Sequence, residues 1–249
     1  MRSKQCRTVL RCDNYFIREM ICLRQKREGL NGDCIAAIIQ HEYLSENCEI
    51  CIIEAIDEWN FKIVEQSILS ASEDHMWTGQ LVEMKDQFAV LDSVTSTLFV
   101  WKRGELGAKS IKIPDGGYEP KGMCVLQNVL GREELLAFHF HYSSLIGMFA
   151  IESTSLVNMR NVQLECIPGG LLWLPNKRTL VVSNHAWDMR YLCALRMTER
   201  DLTSYMMELD QKHLITVLGW FVLHDQSGNE KAIAIFDQHS SSVMFFQMA

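Results

Sequence analysis

Histidine and aspartate side chains recur beside the short polar segments that interrupt the apolar runs of this chain. They are His41, His139, His141, His185 and His239, with Asp92 and Asp237 in comparable places. Imidazole suits zinc and iron, and carboxylates can complete such a site. If these segments are turns arranged around a ring of sheets, however, the side chains lie too far apart for metal–ligand bonds of about 2.0–2.2 Å. We therefore predict no metal site and expect these side chains to bond to their own turns.

One cysteine pair, Cys48 and Cys51, has the C-x-x-C spacing of a metal or redox site, and the chain has nine cysteines in all. A zinc ribbon needs a second such pair, and the sequence has none. On a β-strand, an offset of three residues also places the two thiols on opposite faces. We predict buried structural cysteines without disulfides, which favours the cytoplasm or the nucleus.

No nucleotide-binding, nucleophile-elbow or zinc-protease motif occurs in the sequence, so we predict no cofactor and assign no catalytic residue. The predicted innermost strands and their ends carry few acids, chiefly Glu83 and Asp86. A glycoside hydrolase needs two carboxylates at a defined separation. The sequence offers no such pair near a common axis.

The strongest structural signal is a repeat of paired β-rich runs around short polar turns. The pairs cover residues 34–53, 88–101, 135–151, 179–195 and 232–247. Their second runs begin near Cys48, Ser96, Ser144, Arg190 and Ser242, at steps of 48, 48, 46 and 52 residues. A period in the forties with several strands per step is typical of propeller blades.

Two further strand candidates fall within each step, which predicts four strands per blade. The innermost candidates are residues 17–23, 77–84, 122–128, 170–174 and 214–223, and the outermost are 61–69, 109–113, 157–164 and 203–209. The last blade lacks an outer strand, which residues 7–11 could supply, so that no sheet edge stays unpaired. We predict an all-β fold, a single five-bladed β-propeller domain over residues 1–249 that the N-terminal strand closes. Alternatively, a strand from another chain completes the ring.

A second fold stays open because two segments also have helical spacing. Leu202, Tyr205, Met206 and Leu209 follow one helix face behind a possible capping box, and residues 17–24 suit a helix as well. Residues 14–28 and 198–209 can therefore be strands or helices. An α+β fold with a large antiparallel sheet is the alternative.

Two segments resemble known repeat families. Asp92, Thr95, Thr97 and Trp101 resemble the end of a WD40 repeat, with His75 as the histidine for that blade, and His213 with Asp237 in similar places in the last blade. In that family such residues form a structural hydrogen-bond network, so the resemblance implies a structural role. The segment Pro120-Lys-Gly122 resembles the start of an NHL-type blade. Both resemblances imply a divergent propeller and no particular activity.

Composition and charge agree with a globular fold. The 249 residues are 48% apolar and 22% charged, and no run of apolar residues is long enough for a membrane helix. The net charge is −7, but residues 1–28 hold eight basic and three acidic side chains, a net of +5, which leaves −12 for the rest. An acidic body repels phosphate, so we expect no nucleic-acid contact except through this N-terminal arm.

The favoured function is a protein-interaction module or scaffold subunit that presents propeller loops to a partner protein. The longest predicted turn between paired strands, 183–190, contains Trp187 and Arg190, two residue types that dominate binding energy at protein interfaces. We predict these two as binding residues. The alternative function is a hydrolase-type enzyme with a pocket at the propeller axis.

Overall fold

The computed structural model describes residues 15–23, 33–41, 47–56, 61–70, 79–105, 107–114, 118–184, 191–198, 201–208, 217–225, 227–237 and 242–247. Within these ranges all regular structure is β, in nineteen strands arranged as five separate sheets. In every sheet, strands that are consecutive in the chain lie side by side, and paired neighbours run antiparallel. The predicted period of four strands thus corresponds to one sheet.

The unit formed by Met1–Ile111 contains the first two sheets, and its boundary falls within the last strand of the second. The first sheet consists of β1 (Tyr15–Cys22), β2 (Cys34–His41), β3 (Asn47–Ala55) and β4 (Phe61–Ser70). The second consists of β5 (Gly79–Glu83), β6 (Gln87–Asp92), β7 (Thr97–Lys102) and β8 (Lys109–Lys112). The first strands of these two sheets are in contact with each other, since β1 lies against β5.

The unit formed by Lys112–Ala249 contains the other three sheets. The third sheet consists of β9 (Pro120–Val129), β10 (Arg132–Phe140), β11 (Leu145–Glu152) and β12 (Ser155–Gln163). The fourth consists of β13 (Pro168–Leu174), β14 (Thr179–Asn184), β15 (Tyr191–Met197) and β16 (Leu202–Glu208), and the fifth of β17 (Val217–His224), β18 (Glu230–Asp237) and β19 (Ser242–Gln247). Here too the first strands meet, because β13 contacts both β9 and β17.

The middle strands of each sheet form the core. In β6 and β7 every residue from Phe88 to Asp92 and from Thr97 to Trp101 is buried, as expected for strands packed on both faces. The rings of Phe88 and Trp101 stack with 5.6 Å between their centroids. In the second unit, one apolar cluster joins the third and fourth sheets through residues such as Met148 and Trp173.

The prediction that Cys48 and Cys51 are buried on opposite faces of one strand is confirmed. Cys48 and Cys51 are buried and belong to two different apolar clusters, as opposite faces of one strand require. The described cysteines, which are Cys22, Cys34, Cys48, Cys51, Cys124, Cys166 and Cys193, form no disulfide with one another.

The alternative α+β fold is wrong, because no helix occurs in the ranges given above. Residues 202–208 form β16, in which Met206 pairs with Cys193 and Leu202 with Met197, so sheet pairing overrides the helical spacing. In β1 the register slips between Ile17 and Glu19. This bulge places Ile17 and Met20 on the same, exposed side of the strand, and it explains why a strand shows the spacing of a helix.

The fifth sheet has three strands in the part of the chain that the structure describes. The predicted closing strand, residues 7–11, lies outside the described residues, so closure of this sheet stays a prediction, as does the single domain over residues 1–249. No helix among the described residues is long and apolar enough to cross a membrane.

Candidate interaction surface

In the third and fourth sheets, one end of the sheet gathers three kinds of chain segment. There the first strand begins, the second and third strands are joined by a turn, and the fourth strand ends, and we call this the upper end. The register shows it in the pairs Phe140–Pro120, Leu145–Gln163, Asn184–Pro168 and Tyr191–Glu208. The opposite end, called the lower end, holds the other turns. A partner that binds the upper end of a sheet therefore meets residues from distant parts of the sequence.

The two predicted binding residues, Trp187 and Arg190, lie outside the described residues. Their flanks are described, because β14 ends at Asn184 and β15 begins at Tyr191. In the chain, residues 185–190 connect these two paired strands, and the role of Trp187 and Arg190 in binding stays a prediction.

In the third sheet the equivalent turn presents an exposed tyrosine. Tyr142 is 70% exposed and stacks on the imidazole of His141, with 3.7 Å between ring centroids. Its backbone has a φ of 54°, a left-handed conformation that disfavours a bulky side chain by roughly 1–2 kcal/mol. The turn thus holds a large aromatic ring in solvent at an energetic cost.

The segment before β9 supports this turn. The backbone N–H of His141 donates to the carbonyl of Glu119 over 2.7 Å, and the Glu119 carboxylate accepts from Lys121 Nζ over 3.0 Å. His141 Nδ1 lies 3.6 Å from the same carboxylate oxygen. The hydrogen bond from Lys121 and its positive charge hold the pKa of Glu119 below its usual value, with a smaller effect from His141. Lys121 thus favours the ionised form of the Glu119 carboxyl group, and the Glu119 carbonyl holds the backbone of the turn.

Tyr118 adds a second exposed ring beside this network. It directly precedes Glu119 and is 48% exposed. We call Tyr118, Glu119, Lys121, His141 and Tyr142 the tyrosine cluster. The sequence pattern indicates His141 but neither tyrosine, because nothing in the local sequence shows which tyrosine side chains stay exposed to solvent.

The corresponding turn of the second sheet is tied by hydrogen bonds. Asp92 Oδ1 accepts from the N–H groups of Val94 and Thr95, and Asp92 Oδ2 accepts from Thr95 Oγ1 over 2.5 Å. A further hydrogen bond of 2.9 Å joins Thr95 Oγ1 to Thr97 Oγ1. The aspartate, which is 4% exposed, therefore accepts hydrogen bonds from its own turn, as the sequence predicts.

The WD40-like network is formed only in part. The indole N–H of Trp101 donates to the carbonyl of Glu105, over 3.0 Å, and takes no part in the bonds around Asp92. His75 and His213 lie outside the described residues, and so does the side chain of Asp237. The Pro-x-Gly segment does begin the first strand of its sheet, since β9 starts at the buried Pro120.

The histidines and acids do not converge in the part of the chain that the structure describes. No group of three His, Cys, Asp or Glu side chains there could hold a metal ion. His139 is buried in β10, whereas His141 is half-buried in the turn that follows. The side chain of His41 and residues His185 and His239 lie outside the described part.

The acidic residues in or beside the first strands of the first two sheets lie in three different environments. Glu83, at the end of β5, binds Arg103 with 2.7 Å between Oε1 and a guanidinium nitrogen, and that guanidinium lies 5.0 Å from the centroid of Phe88. Asp86 is exposed in the turn after β5. Glu19 in β1 was missed by the sequence analysis, and burial raises its pKa. The bulge beside Glu19 changes its face, which no local pattern shows.

Comparisons with known proteins establish the fold and no more. A candidate 6-phosphogluconolactonase of Bacteroides fragilis is similar with a TM-score of 0.56 at 10% identity, over 94% of this chain and 76% of that chain. A chain of the mitotic checkpoint complex matches with a TM-score of 0.54 at 10% identity, over 86% of this chain and 59% of that chain. Hsv2 of Kluyveromyces lactis matches with a TM-score of 0.53 at 11% identity, over 85% of this chain and 56% of that chain.

No protein-family model matches the sequence, and no curated protein matches it. Together with the repeated four-stranded sheets, the structural matches show that this chain is an all-β protein with the β-propeller fold. The predicted fold class is confirmed. Because the structural matches are so distant in sequence, the class is defined by architecture alone.

Proposed function

We propose that this chain is a protein-interaction module, a scaffold subunit that binds a partner protein through the upper ends of its blades. We propose that it acts in the cytoplasm or the nucleus, because the described cysteines form no disulfide with one another. One of the similar structures is a chain of the mitotic checkpoint complex, a protein assembly, and this likeness in fold supports the proposal.

The observation that carries the proposal is the tyrosine cluster. Tyrosine is enriched at the centres of protein interfaces, where its ring is buried and its hydroxyl finds a partner. Tyr142 is rigidly presented because His141 stacks on it and Glu119 fixes the His141 backbone. A pre-ordered side chain loses little conformational entropy on binding, so it contributes more of its contact energy to affinity.

Trp187 and Arg190 extend the proposed surface to the next sheet. Their turn leaves the upper end of the fourth sheet, the same end that carries Tyr142 in the third. We propose that the partner contacts both segments, with Tyr142, Trp187 and Arg190 as anchors and with Glu119 and Lys121 as a charged margin.

Capture of partners from native extract with the full chain tests the proposal. The variant Tyr142→Asn removes the ring, and asparagine tolerates the left-handed backbone, so the fold is preserved or stabilised. We expect Tyr142→Asn, and separately Trp187→Ala with Arg190→Ala, to lose a partner that the natural chain retains. The matched control Arg132→Gln alters an exposed ion pair with Glu152 and should retain the partner. An unchanged set of partners in both variants contradicts the proposal.

A hydrolase is the second candidate function, and Glu19 is the observation that supports it. A half-buried carboxyl group whose pKa is raised suits a general acid, and β1 is the first strand of its sheet, where a pocket at the axis would lie. The likeness to a candidate 6-phosphogluconolactonase is one of fold. Hydrolysis of 6-phosphogluconolactone that Glu19→Gln abolishes would support this candidate, and no turnover by the natural chain would exclude that substrate.

A further inference from the structure

The lower end of the fourth sheet contains a cavity of about 570 Å³ with an unusual charge. It is lined by Asn176, Lys177, Arg178, Thr179, Arg196, Met197 and Thr198. Three of these seven residues are cationic and none is acidic, in a chain whose net charge is −7. Its size is within the range of pockets for small molecules, about 300–1,000 Å³.

Sheet pairing brings the two arginines together from separate strands. Arg196 in β15 lies directly opposite Thr179, the residue after Arg178. The carbonyl of Arg178 also accepts a 2.8 Å hydrogen bond from the N–H of Met197, which holds the two segments side by side. Both arginine side chains are exposed, and neither forms an ion pair with any residue that the structure describes.

The turn that carries Arg178 is held rigidly from the neighbouring sheet. The N–H of Asn176 donates to the buried carboxylate of Glu230 over 3.0 Å, and Asn176 Nδ2 donates to the carbonyl of Gly228 over 3.3 Å. The carboxylate of Glu230 is engaged by the N–H of Asn176, and neither Glu230 nor Asp201 lines the cavity.

Arg178 has a left-handed backbone, with a φ of 47°. Glycine adopts this conformation in some turns, for instance Gly131 and Gly228, and non-glycine residues such as Tyr142 and Ser153 adopt it in others. A long side chain there is strained, and strain of this kind concentrates at binding sites. The turn thus places Arg178 at the edge of the cationic cavity at a conformational cost.

We propose that this cavity binds a phosphate monoester. The guanidinium groups of Arg178 and Arg196 match the double negative charge of such a dianion, and guanidinium binds phosphate oxygens through paired hydrogen bonds. A sugar phosphate and the headgroup of a phosphatidic acid both supply this chemistry. The site lies at the lower end of its sheet and does not depend on the proposed partner surface at the upper end.

Isothermal titration of the full chain tests the site with glycerol 3-phosphate, and flotation tests it with phosphatidic acid in phosphatidylcholine vesicles. We expect saturable binding of at least one probe, weaker at higher salt. The double variant Arg178→Gln with Arg196→Gln should lower the affinity by at least about tenfold, since hydrogen bonds to charged groups each contribute that much. The control Arg132→Gln, in the same unit, should bind as the natural chain does.

Thermal unfolding shows whether the double variant folds, and the single variant Arg196→Gln replaces it if it does not. Binding of glycerol 3-phosphate indicates a soluble ligand, whereas binding of vesicles alone indicates a lipid, and either result supports the site if the arginine variant removes it. Failure of both probes to bind overturns the proposal. So does an affinity that the variant leaves unchanged, or an equal affinity for a glutamate-rich peptide, which would indicate a docking site for an acidic protein segment.

Discussion

The carboxylate of Asp92 is bonded to the hydroxyl of Thr95 over 2.5 Å and closes the turn between β6 and β7. Because Asp92 is buried and accepts three hydrogen bonds, we expect Asp92→Ala to lower the free energy of unfolding by about 1–3 kcal/mol. Urea unfolding followed by circular dichroism measures the loss. The control Asp86→Asn, in an exposed turn of the same sheet, should stay within about 0.5 kcal/mol of the natural chain. Equal losses in the two variants would show that the turn network contributes nothing specific.

Arg103 holds the buried end of Glu83 while its guanidinium lies over Phe88. Arg103→Ala leaves that carboxylate, 8% exposed, without the cation, and we expect a loss of about 2–4 kcal/mol. Adding Glu83→Gln should recover part of the loss, because a neutral amide needs no counter-charge. A double-mutant cycle from urea unfolding gives the coupling between the two side chains. Strictly additive losses would mean that the pair is not coupled.

Gly147 in β11 has no room for a side chain. A Cβ atom there would lie 2.5 Å from Phe149 Cε2, and the Phe149 ring is itself packed edge-on against Phe138 with 5.7 Å between centroids. We expect Gly147→Ala to cost about 1–3 kcal/mol through overpacking, measured as a lower melting temperature. Combining it with Phe149→Leu should cost less than the sum of the two single variants. A fully additive double variant would show that the alanine is accommodated elsewhere.

The described cysteines should differ sharply in their reaction with iodoacetamide. Cys22 is exposed, whereas burial raises the pKa of Cys124 and raises that of Cys193 to about 11. The thiolate is the reacting form, so at pH 8 mass spectrometry should find Cys22 modified long before Cys124 or Cys193. In urea all three should react at similar rates. Rapid modification of Cys124 in the folded chain would contradict the packing of β9 against β10.

The sequence by itself determines the strands and their period. Runs rich in β-branched and aromatic residues end at polar turns, and these local signals place the inner and outer strands of each sheet within a few residues of the observed bounds. They also show that Cys48 and Cys51 belong to opposite faces, because strand geometry has a period of two.

The tertiary structure alone decides which residues meet. The segment around Tyr205 has the residue spacing of a helix but forms strand β16, which pairs with β15. The hydrogen bonds of the sheet outweigh the local helical preference. The indole N–H of Trp101 donates to the carbonyl of Glu105 and not to the WD40-like network around Asp92. A bulge in β1 changes the face on which Glu19 lies, and its side chain is half-buried.

Both proposed sites come from the same cause. His141 meets Glu119 and Arg178 comes beside Arg196 only through the register of antiparallel strands. A register is set by packing over the whole sheet, and a shift of one residue would turn every side chain to the other face. The candidate sites therefore depend on contacts between segments that are about 20 residues apart in the chain. The strands, in contrast, are predicted by local patterns of about ten residues or fewer.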